Sequence, residues 1–170
     1  MDIFSHGLYG GVAFGRKSKK DYITALLFGI GPDLFSFGIF FLSVFLGIDS
    51  WPEGNMTPPG AKVIPEYIHY LYGITHSFFI YVLFFALLLW FGKKSLAWLT
   101  FGWPLHILID IPTHSNGFFP TPFLWPLSDY SFNGIPWTKP IIFIPNITVL
   151  ILLYSYWYFK RKRKSKLVAR

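Results

Sequence analysis

The sequence predicts an all-α, polytopic integral membrane protein, and three observations support this fold class. Hydrophobic residues make up 53% of the 170 residues, and charged residues only 14%, which is unlike a soluble domain. Aromatic residues reach 22%. Four segments are apolar over the ~17–25 residues that a membrane-spanning helix needs. The chain, residues 1–170, is therefore predicted to be a single membrane domain.

The elements follow from the hydropathy along the chain. Residues 1–15 are short and contain four glycines, so they predict a partly inserted N-terminal helix. Transmembrane helices are predicted, about four in all, at 22–48, 74–92, 95–112 and 141–159, followed by a basic tail at 160–170. Within the first span, Gly31-Pro32 predicts a break after which the helix restarts. Asp33 would then lie in the first turn of a half-helix, where the helix dipole favours a carboxylate.

The basic residues indicate how the chain crosses the membrane. Thirteen of the 15 Lys and Arg lie at 16–20, 93–94 and 160–170, which four alternating spans bring to one side. The positive-inside rule makes that side cytoplasmic, with the C-terminus, and makes the loops at 49–73 and 113–140 non-cytoplasmic. The net charge of +7 therefore indicates topology and contact with anionic membrane lipids, with no nucleic acid as a partner. Because the chain has no Cys, any metal must use His nitrogen and carboxylate oxygen.

The loop at 113–140 has a composition typical of the membrane interface. It holds Phe118-Phe-Pro-Thr-Pro-Phe-Leu-Trp125 and Trp137, and aromatic rings favour the depth of the lipid headgroups. Two interpretations stay open for this segment. It is either a lid over a site that opens toward the outer leaflet or an ordinary interfacial loop.

Several ionisable residues lie where a bilayer is apolar. They are His6, Asp33, His76, His106 and Asp110. An Asp at mid-membrane costs about 2.5–3.5 kcal/mol on insertion scales, so these groups need compensation. At ~1.5 Å per helical residue, all five lie roughly 15–25 Å from the nearest basic patch, in one slab of the membrane. His114, one turn after Asp110, is predicted at the outer rim of that slab.

The ligand types in this slab predict a metal site. Two imidazoles and two carboxylates suit zinc, manganese or iron. His106 and Asp110 are four residues apart, so a helix places them on one face. Asp33 and His76 complete the candidate set from other spans. The expected cofactor is a divalent metal ion.

The order of these residues resembles that of a known family. An early His6, Gly31-Pro-Asp33, Thr75-His-Ser77 and His106-Ile-Leu-Ile-Asp110, followed by His114, are similar to motifs of the bacterial membrane-bound metal-dependent hydrolases. The same order also resembles that of zinc-dependent phospholipase C and related single-strand nucleases. The resemblance implies that Asp33, His76, His106 and Asp110 hold a first metal, with zinc the expected ion. It also implies that His6 and His114 hold a second metal or transfer protons.

On this resemblance the chain is expected to be a membrane-embedded metal-dependent hydrolase. A divalent cation would activate water toward a phosphoester or a lipid-like amphiphile. His114 or His6 would act as general acid or base. Membrane lipids and a small amphiphilic or phosphoester substrate are the expected partners. Both a monomer and an oligomer are compatible with the sequence.

Three other classes are compatible with the same residues. A metal-ion or proton transporter would use buried His and Asp on a broken helix, and it predicts transmembrane flux. A bis-histidine haem protein is a further alternative, although aspartates beside the haem disfavour it. A structural membrane protein predicts no bound metal.

Overall fold

The computed structural model describes residues 1–51, 64–117 and 119–168, and the described chain is all-α, as the sequence predicts. Residues 52–63, in the middle of the predicted loop at 49–73, lie outside the described residues. The helices are α1 (Ile3–Phe14), α2 (Lys19–Asp33), α3 (Ile39–Phe45), α4 (Glu66–Thr75), α5 (Phe78–Trp90), α6 (Lys94–Leu99), α7 (Gly102–Thr113) and α8 (Pro140–Val168).

Short polar side chains begin several of these helices. Asp2 accepts a hydrogen bond from the Ser5 backbone N–H at 2.9 Å at the start of α1. Ser18 caps α2 in the same way, with the Asp21 N–H at 3.0 Å. Such caps satisfy backbone donors that the first helical turn leaves free, and they fix where the helix begins.

The first membrane span is one long helix with a widened turn. α2, a π-helical turn at Leu34–Gly38 and α3 together form a candidate span of 27 residues, Lys19–Phe45. The interruption predicted at Gly31-Pro32 lies after Asp33 instead, and α2 continues through Pro32. Asp33 is thus the last residue of α2, and the predicted half-helix start at Pro32 is wrong. The Ser36 hydroxyl, within the π turn, donates to the Pro32 carbonyl at 2.9 Å.

The remaining spans agree with the sequence in part. Pro140–Arg163 is a second candidate span of 24 residues. α4 and α5 pass the same test only as a pair, bent by 54° at the break around His76 and Ser77. The span predicted at 95–112 is divided into α6 and α7, and the Thr100 hydroxyl donates to the Ala97 carbonyl at 2.7 Å at the end of α6. The described residues therefore hold two candidate spans, or three with the bent pair.

Glycines let α1, α2 and α7 approach each other closely. A Cβ on Gly29 would lie 2.5 Å from the backbone carbonyl oxygen of His6. A Cβ on Gly102 would lie 2.6 Å from the carbonyl oxygen of Ala25. Neither position tolerates a side chain without moving backbone, and small residues of this kind let membrane helices pack tightly. The first contact brings the first turn of α1 against α2, and the second brings the start of α7 against the middle of α2.

Candidate metal centre

Four ionisable side chains meet between α2, α4 and α7. Asp33 ends α2, His76 follows the last residue of α4, and His106 and Asp110 lie one turn apart on α7. Each offers a ligand atom, and these atoms all lie within 4.8 Å of one another. The side chains of His76, His106 and Asp110 are fully buried, and that of Asp33 is 13% exposed. The structure thus brings together the four residues that the sequence predicts as metal ligands, in a group that could hold a metal ion.

A backbone carbonyl orients the His106 ring. Nδ1 of His106 lies 2.7 Å from the carbonyl oxygen of Gly29. Because a carbonyl oxygen can only accept, Nδ1 carries the proton and donates it. Nε2 then presents its lone pair to the centre of the cluster, as a metal-ligating histidine does.

The His76 ring is oriented in the same sense. Its Nδ1 lies 3.2 Å from the Tyr72 carbonyl oxygen and 3.0 Å from the Thr75 hydroxyl. The Thr75 hydroxyl donates its own hydrogen to the Leu71 carbonyl at 2.9 Å, so its oxygen is free to accept from Nδ1. His76 therefore also presents Nε2 with a lone pair.

These two nitrogens face each other at close range. His76 Nε2 and His106 Nε2 are 3.0 Å apart. Asp33 Oδ1 lies 3.5 Å from the first and 3.7 Å from the second. Asp110 Oδ2 lies 3.1 Å from His106 Nε2, and it is buried with no hydrogen-bond partner among the described residues. Two lone pairs and two carboxylate oxygens converge, which is an arrangement that a cation stabilises.

Asp110 also faces a second group of nitrogens through its other oxygen. His6 Nε2 lies 2.9 Å from Asp110 Oδ1, and His114 Nε2 lies 3.6 Å from the same atom. The amino group of Met1 contacts Asp110 Oδ1 and lies 3.1 Å from His114 Nε2. Asp110 is thus shared between the four-residue cluster and a group formed by Met1, His6 and His114.

His114 lies at the edge of the cluster. Its side chain is 7% exposed, and its Nε2 lies 3.6 Å from Asp110 Oδ1. α7 ends at Thr113, and His114 has extended backbone with φ −114° and ψ 151°. Its Nδ1 lies 3.0 Å from the Phe119 carbonyl, so its Nε2 also points toward Asp110.

His6 packs on the cluster from α1. Its ring stacks on the His106 ring, with centroids 3.7 Å apart and planes inclined by 24°. It is fully buried, and its Nδ1 has no hydrogen-bond partner among the described residues. The close contact of α1 with α2 at Gly29 holds it there.

The loop that follows α7 packs over this end of the molecule. Trp125 accepts a hydrogen bond from the Ser77 hydroxyl through its carbonyl oxygen, and the Phe123 carbonyl accepts from the Phe78 N–H at 3.0 Å. The Gly134 N–H donates to the His114 carbonyl at 2.7 Å. These contacts tie the loop to the ends of α4, α5 and α7, beside the residues of the cluster.

Tyr72 and the Gly29 carbonyl are among the groups at the site that were not predicted from the sequence. Tyr72 is buried, stacks on the His76 ring at 3.7 Å, and places its hydroxyl 3.0 Å from His114 Nδ1. Its spacing of four residues before His76 is the sequence signal that could have identified it. The Gly29 carbonyl, which orients His106, has no such signal, because any residue has a carbonyl.

The family comparison agrees with the membrane protein inferred from composition. A model of the YdjM inner membrane protein family matches residues 1–169, so the chain belongs to this family. Neither a curated protein nor a solved structure matches the chain significantly. The protein is thus an inner membrane protein with a buried His/Asp cluster.

Proposed function

We propose that this protein is a membrane-embedded metal-dependent hydrolase, with a divalent cation held by Asp33, His76, His106 and Asp110. One observation carries the proposal. The Nε2 atoms of His76 and His106 are 3.0 Å apart, and the Nδ1 atom of each ring faces a carbonyl oxygen. Both facing nitrogens therefore carry lone pairs, and a shared cation turns their repulsion into attraction.

A divalent ion suits this site better than a single proton. Asp33 and Asp110 bring two negative charges into a region where each costs about 2.5–3.5 kcal/mol. The Met1 amino group contacts Oδ1 of Asp110, whereas Oδ2 faces His76 and His106. A proton on one ring would join the two Nε2 atoms by a hydrogen bond, but it would supply only one positive charge against two carboxylates. Two imidazoles and two carboxylates fit zinc first, with manganese and iron as alternatives.

The proposed chemistry divides between the ion and the protein. A divalent ion in the cluster supplies a Lewis acid and a water of lowered pKa. His114 is the proposed general base, because its Nδ1 proton is committed to the Phe119 carbonyl and its Nε2, which faces the Met1 amino group at 3.1 Å, carries the lone pair that can take up a proton. His6, with Nε2 2.9 Å from Asp110 Oδ1, is the second candidate for proton transfer or for ligation of a second metal.

The substrate that we propose is a phosphoester or a lipid-like amphiphile. The resemblance to membrane-bound hydrolases and to zinc-dependent phospholipase C supports this class. In such a reaction water oxygen bonds to phosphorus, the bond to the leaving oxygen breaks, and that oxygen takes up a proton. The water proton goes to His114 Nε2 in the proposed scheme.

We also propose that the basic segments face the cytoplasm. Arg16, Lys17 and Lys19 line one cavity together with Lys160 and Arg161, so these two basic segments lie on the same side. The positive-inside rule then places the C-terminus in the cytoplasm and the loop after α7 on the other side. Cysteine accessibility in intact cells tests this: a Cys at position 161 should resist an impermeant reagent, and one at position 129 should react. The opposite pattern would reverse the orientation.

The metal test compares substitutions of residues in the cluster with a substitution of a histidine outside it. The full chain is purified in detergent, incubated with zinc, desalted, and measured for bound metal by mass spectrometry. We expect His76→Gln, His106→Gln and Asp110→Asn to lose the metal. His69→Gln should keep it, because His69 is an exposed histidine on α4 outside the cluster. A wild type without stoichiometric metal, or equal retention by all variants, would disprove the metal site.

Activity is measured on the same preparations. The hydrolase proposal predicts that phosphoester lipids turn over with bound metal, and that chelation or His114→Ala lowers kcat. A metal-ion or proton transporter would use the same buried cluster. Bound metal without turnover, combined with ion flux across vesicles, would favour the transporter and contradict the hydrolase.

A further inference from the structure

An apolar cavity of about 590 Å³ lies beside the cluster. It is bounded by α2, the π turn and α3 on one side, and by α4, α5 and α7 on the other. Phenylalanine, leucine and isoleucine side chains dominate its wall, with Thr24, Thr75 and Trp103 as the side chains that carry polar atoms. A wall of this kind offers few groups to bind a polar ligand, and it suits hydrocarbon.

The cavity opens toward the lipid. Leu27, Phe35, Ile39 and Ile74 line it and are also exposed on the surface of the protein. Three of these belong to the candidate span Lys19–Phe45, whose exposed side chains face acyl chains in a bilayer. A lipid chain can therefore enter sideways from the membrane without crossing water.

The wall of the cavity is shared with the metal-ligand shell. Thr75 lines the cavity, and its hydroxyl lies 3.0 Å from His76 Nδ1. Pro32 lines it and directly precedes Asp33, the one member of the four-residue cluster whose side chain is partly exposed. Trp103 completes this wall, and its indole N–H donates to the Thr75 carbonyl at 2.5 Å. A ligand in the cavity would thus lie one layer of side chains from the cluster.

The dimensions fit one chain. At ~30 Å³ for a group the size of a water molecule, 590 Å³ holds roughly 20 such groups. Lining residues on the first span run from Thr24 to Ile39, about 22 Å along a helix. One leaflet of a bilayer is ~15 Å deep in hydrocarbon, so an acyl chain that extends over this depth can lie within the length of the cavity.

We infer that this cavity binds one acyl chain of a lipid substrate and presents its headgroup to the cluster. The inference rests on the proposed hydrolase function for the role of the cluster. It goes further in assigning the substrate class, a lipid with a long hydrocarbon chain, and the surface that recognises it. Gly31 lines the cavity, and a Cβ there would meet no atom within 4 Å. A larger side chain at position 31 can therefore occupy the cavity without displacing the backbone.

The test uses a photoreactive palmitic acid in nanodiscs that contain the full-length protein. After illumination, labelled positions are mapped by mass spectrometry. We expect labels on the cavity residues several-fold above those on exposed α8 residues such as Leu152. Gly31→Leu should lower cavity labelling several-fold, and Thr24→Phe, which fills the other end, should do the same. Ala86→Leu adds the same bulk on an exposed position of α5 and should change nothing.

Metal content measured on the same samples separates this inference from the proposed function. Gly31→Leu should bind as much metal as wild type, because position 31 is not a ligand. The acyl-chain site would be overturned, even if metal is bound, by cavity labelling no stronger than that of α8. Labelling that is unchanged in both Gly31→Leu and Thr24→Phe would overturn it as well. Strong cavity labelling in a protein that holds no metal would support the acyl-chain site and contradict the hydrolase.

Discussion

The most informative single perturbation is Asp33→Asn, because the sign of its effect on stability should depend on metal. The substitution keeps the shape of the side chain and removes one negative charge from the cluster. Without metal, Asp33 and Asp110 repel each other, so the variant should be more stable than wild type. With metal, the variant lacks a charged ligand and should be the less stable protein.

The magnitudes follow from the geometry. The ligand atoms of the cluster lie within 4.8 Å of one another, and at an effective dielectric constant of about 20 two unit charges at that distance repel by ~3.5 kcal/mol. The Met1 amino group offsets part of the Asp110 charge, which leaves a gain of about 1–3 kcal/mol in the metal-free variant. A metal at 1,000 times its dissociation constant stabilises the wild type by ~4.1 kcal/mol, which exceeds the gain of the metal-free variant. For a chain of 170 residues, each kcal/mol shifts Tm by about 2–4 °C.

Thermal unfolding followed by tryptophan fluorescence measures both signs, since the chain has seven Trp. In chelator, Asp33→Asn should melt a few degrees above wild type, and in saturating zinc it should melt several degrees below. Asp129→Asn, at an exposed position of the loop after α7, is the matched control and should follow wild type in both buffers. The reasoning would be refuted if the wild-type Tm were the same in zinc and in chelator. It would also be refuted if the Tm difference between Asp33→Asn and wild type had the same sign in both buffers.

Two further predictions concern packing and pH. Gly29→Ala should lower Tm by roughly 2–12 °C, since its Cβ would meet backbone at 2.5 Å and overpacking costs about 1–3 kcal/mol. Gly31→Ala is its matched control and should leave Tm unchanged or slightly higher, because a Cβ there meets no atom within 4 Å; equal losses at both positions would contradict the tight helix contact. Hydrogen bonds from Ser43 and Tyr67 hold the pKa of Asp49, outside the first span, below its usual value. Because the pKa of Asp49 is lower in the folded than in the unfolded state, its charge stabilises the fold at pH values above the unfolded-state pKa. This stabilisation is lost as pH falls through the folded-state pKa, so the Tm difference between wild type and Tyr67→Phe should shrink below pH ~4. A difference that stays constant into acid would show that Tyr67 does not act through the Asp49 charge.

Much of the fold was predictable because membrane helices leave a strong compositional signal. The spans at 22–48 and 141–159 correspond to long helices in the structure, since uninterrupted apolar runs admit little else in a bilayer. The span at 95–112 was not predicted correctly. α6 ends at Leu99 and α7 begins at Gly102, and hydropathy does not locate such an interruption within an apolar segment.

The members of the cluster were predictable from depth, and the surrounding groups were not. Helical rise is nearly constant, so counting residues from the basic patches places Asp33, His76 and Asp110 at similar depths. The count assumes a regular helix as far as His114, whereas α7 ends at Thr113. It also gives no information on which way a ring is turned.

The errors in the sequence prediction coincide with the site itself. Asp33 precedes a π turn, His76 lies at the bend between α4 and α5, and His114 follows the end of α7. At each of these points the backbone departs from the regular helix that hydropathy predicts. The Tyr72 carbonyl, which accepts from the His76 N–H at the end of α4, and the Phe119 carbonyl, in the loop after α7, lie within reach of the Nδ1 protons of His76 and His114. Fixing those protons directs the Nε2 lone pairs inward. Irregular backbone at membrane depth is tolerated where it is enclosed by protein, and here it is enclosed around a set of ligand atoms. The interruptions are therefore part of what builds the cluster, and straightening any one of these helices should dismantle it.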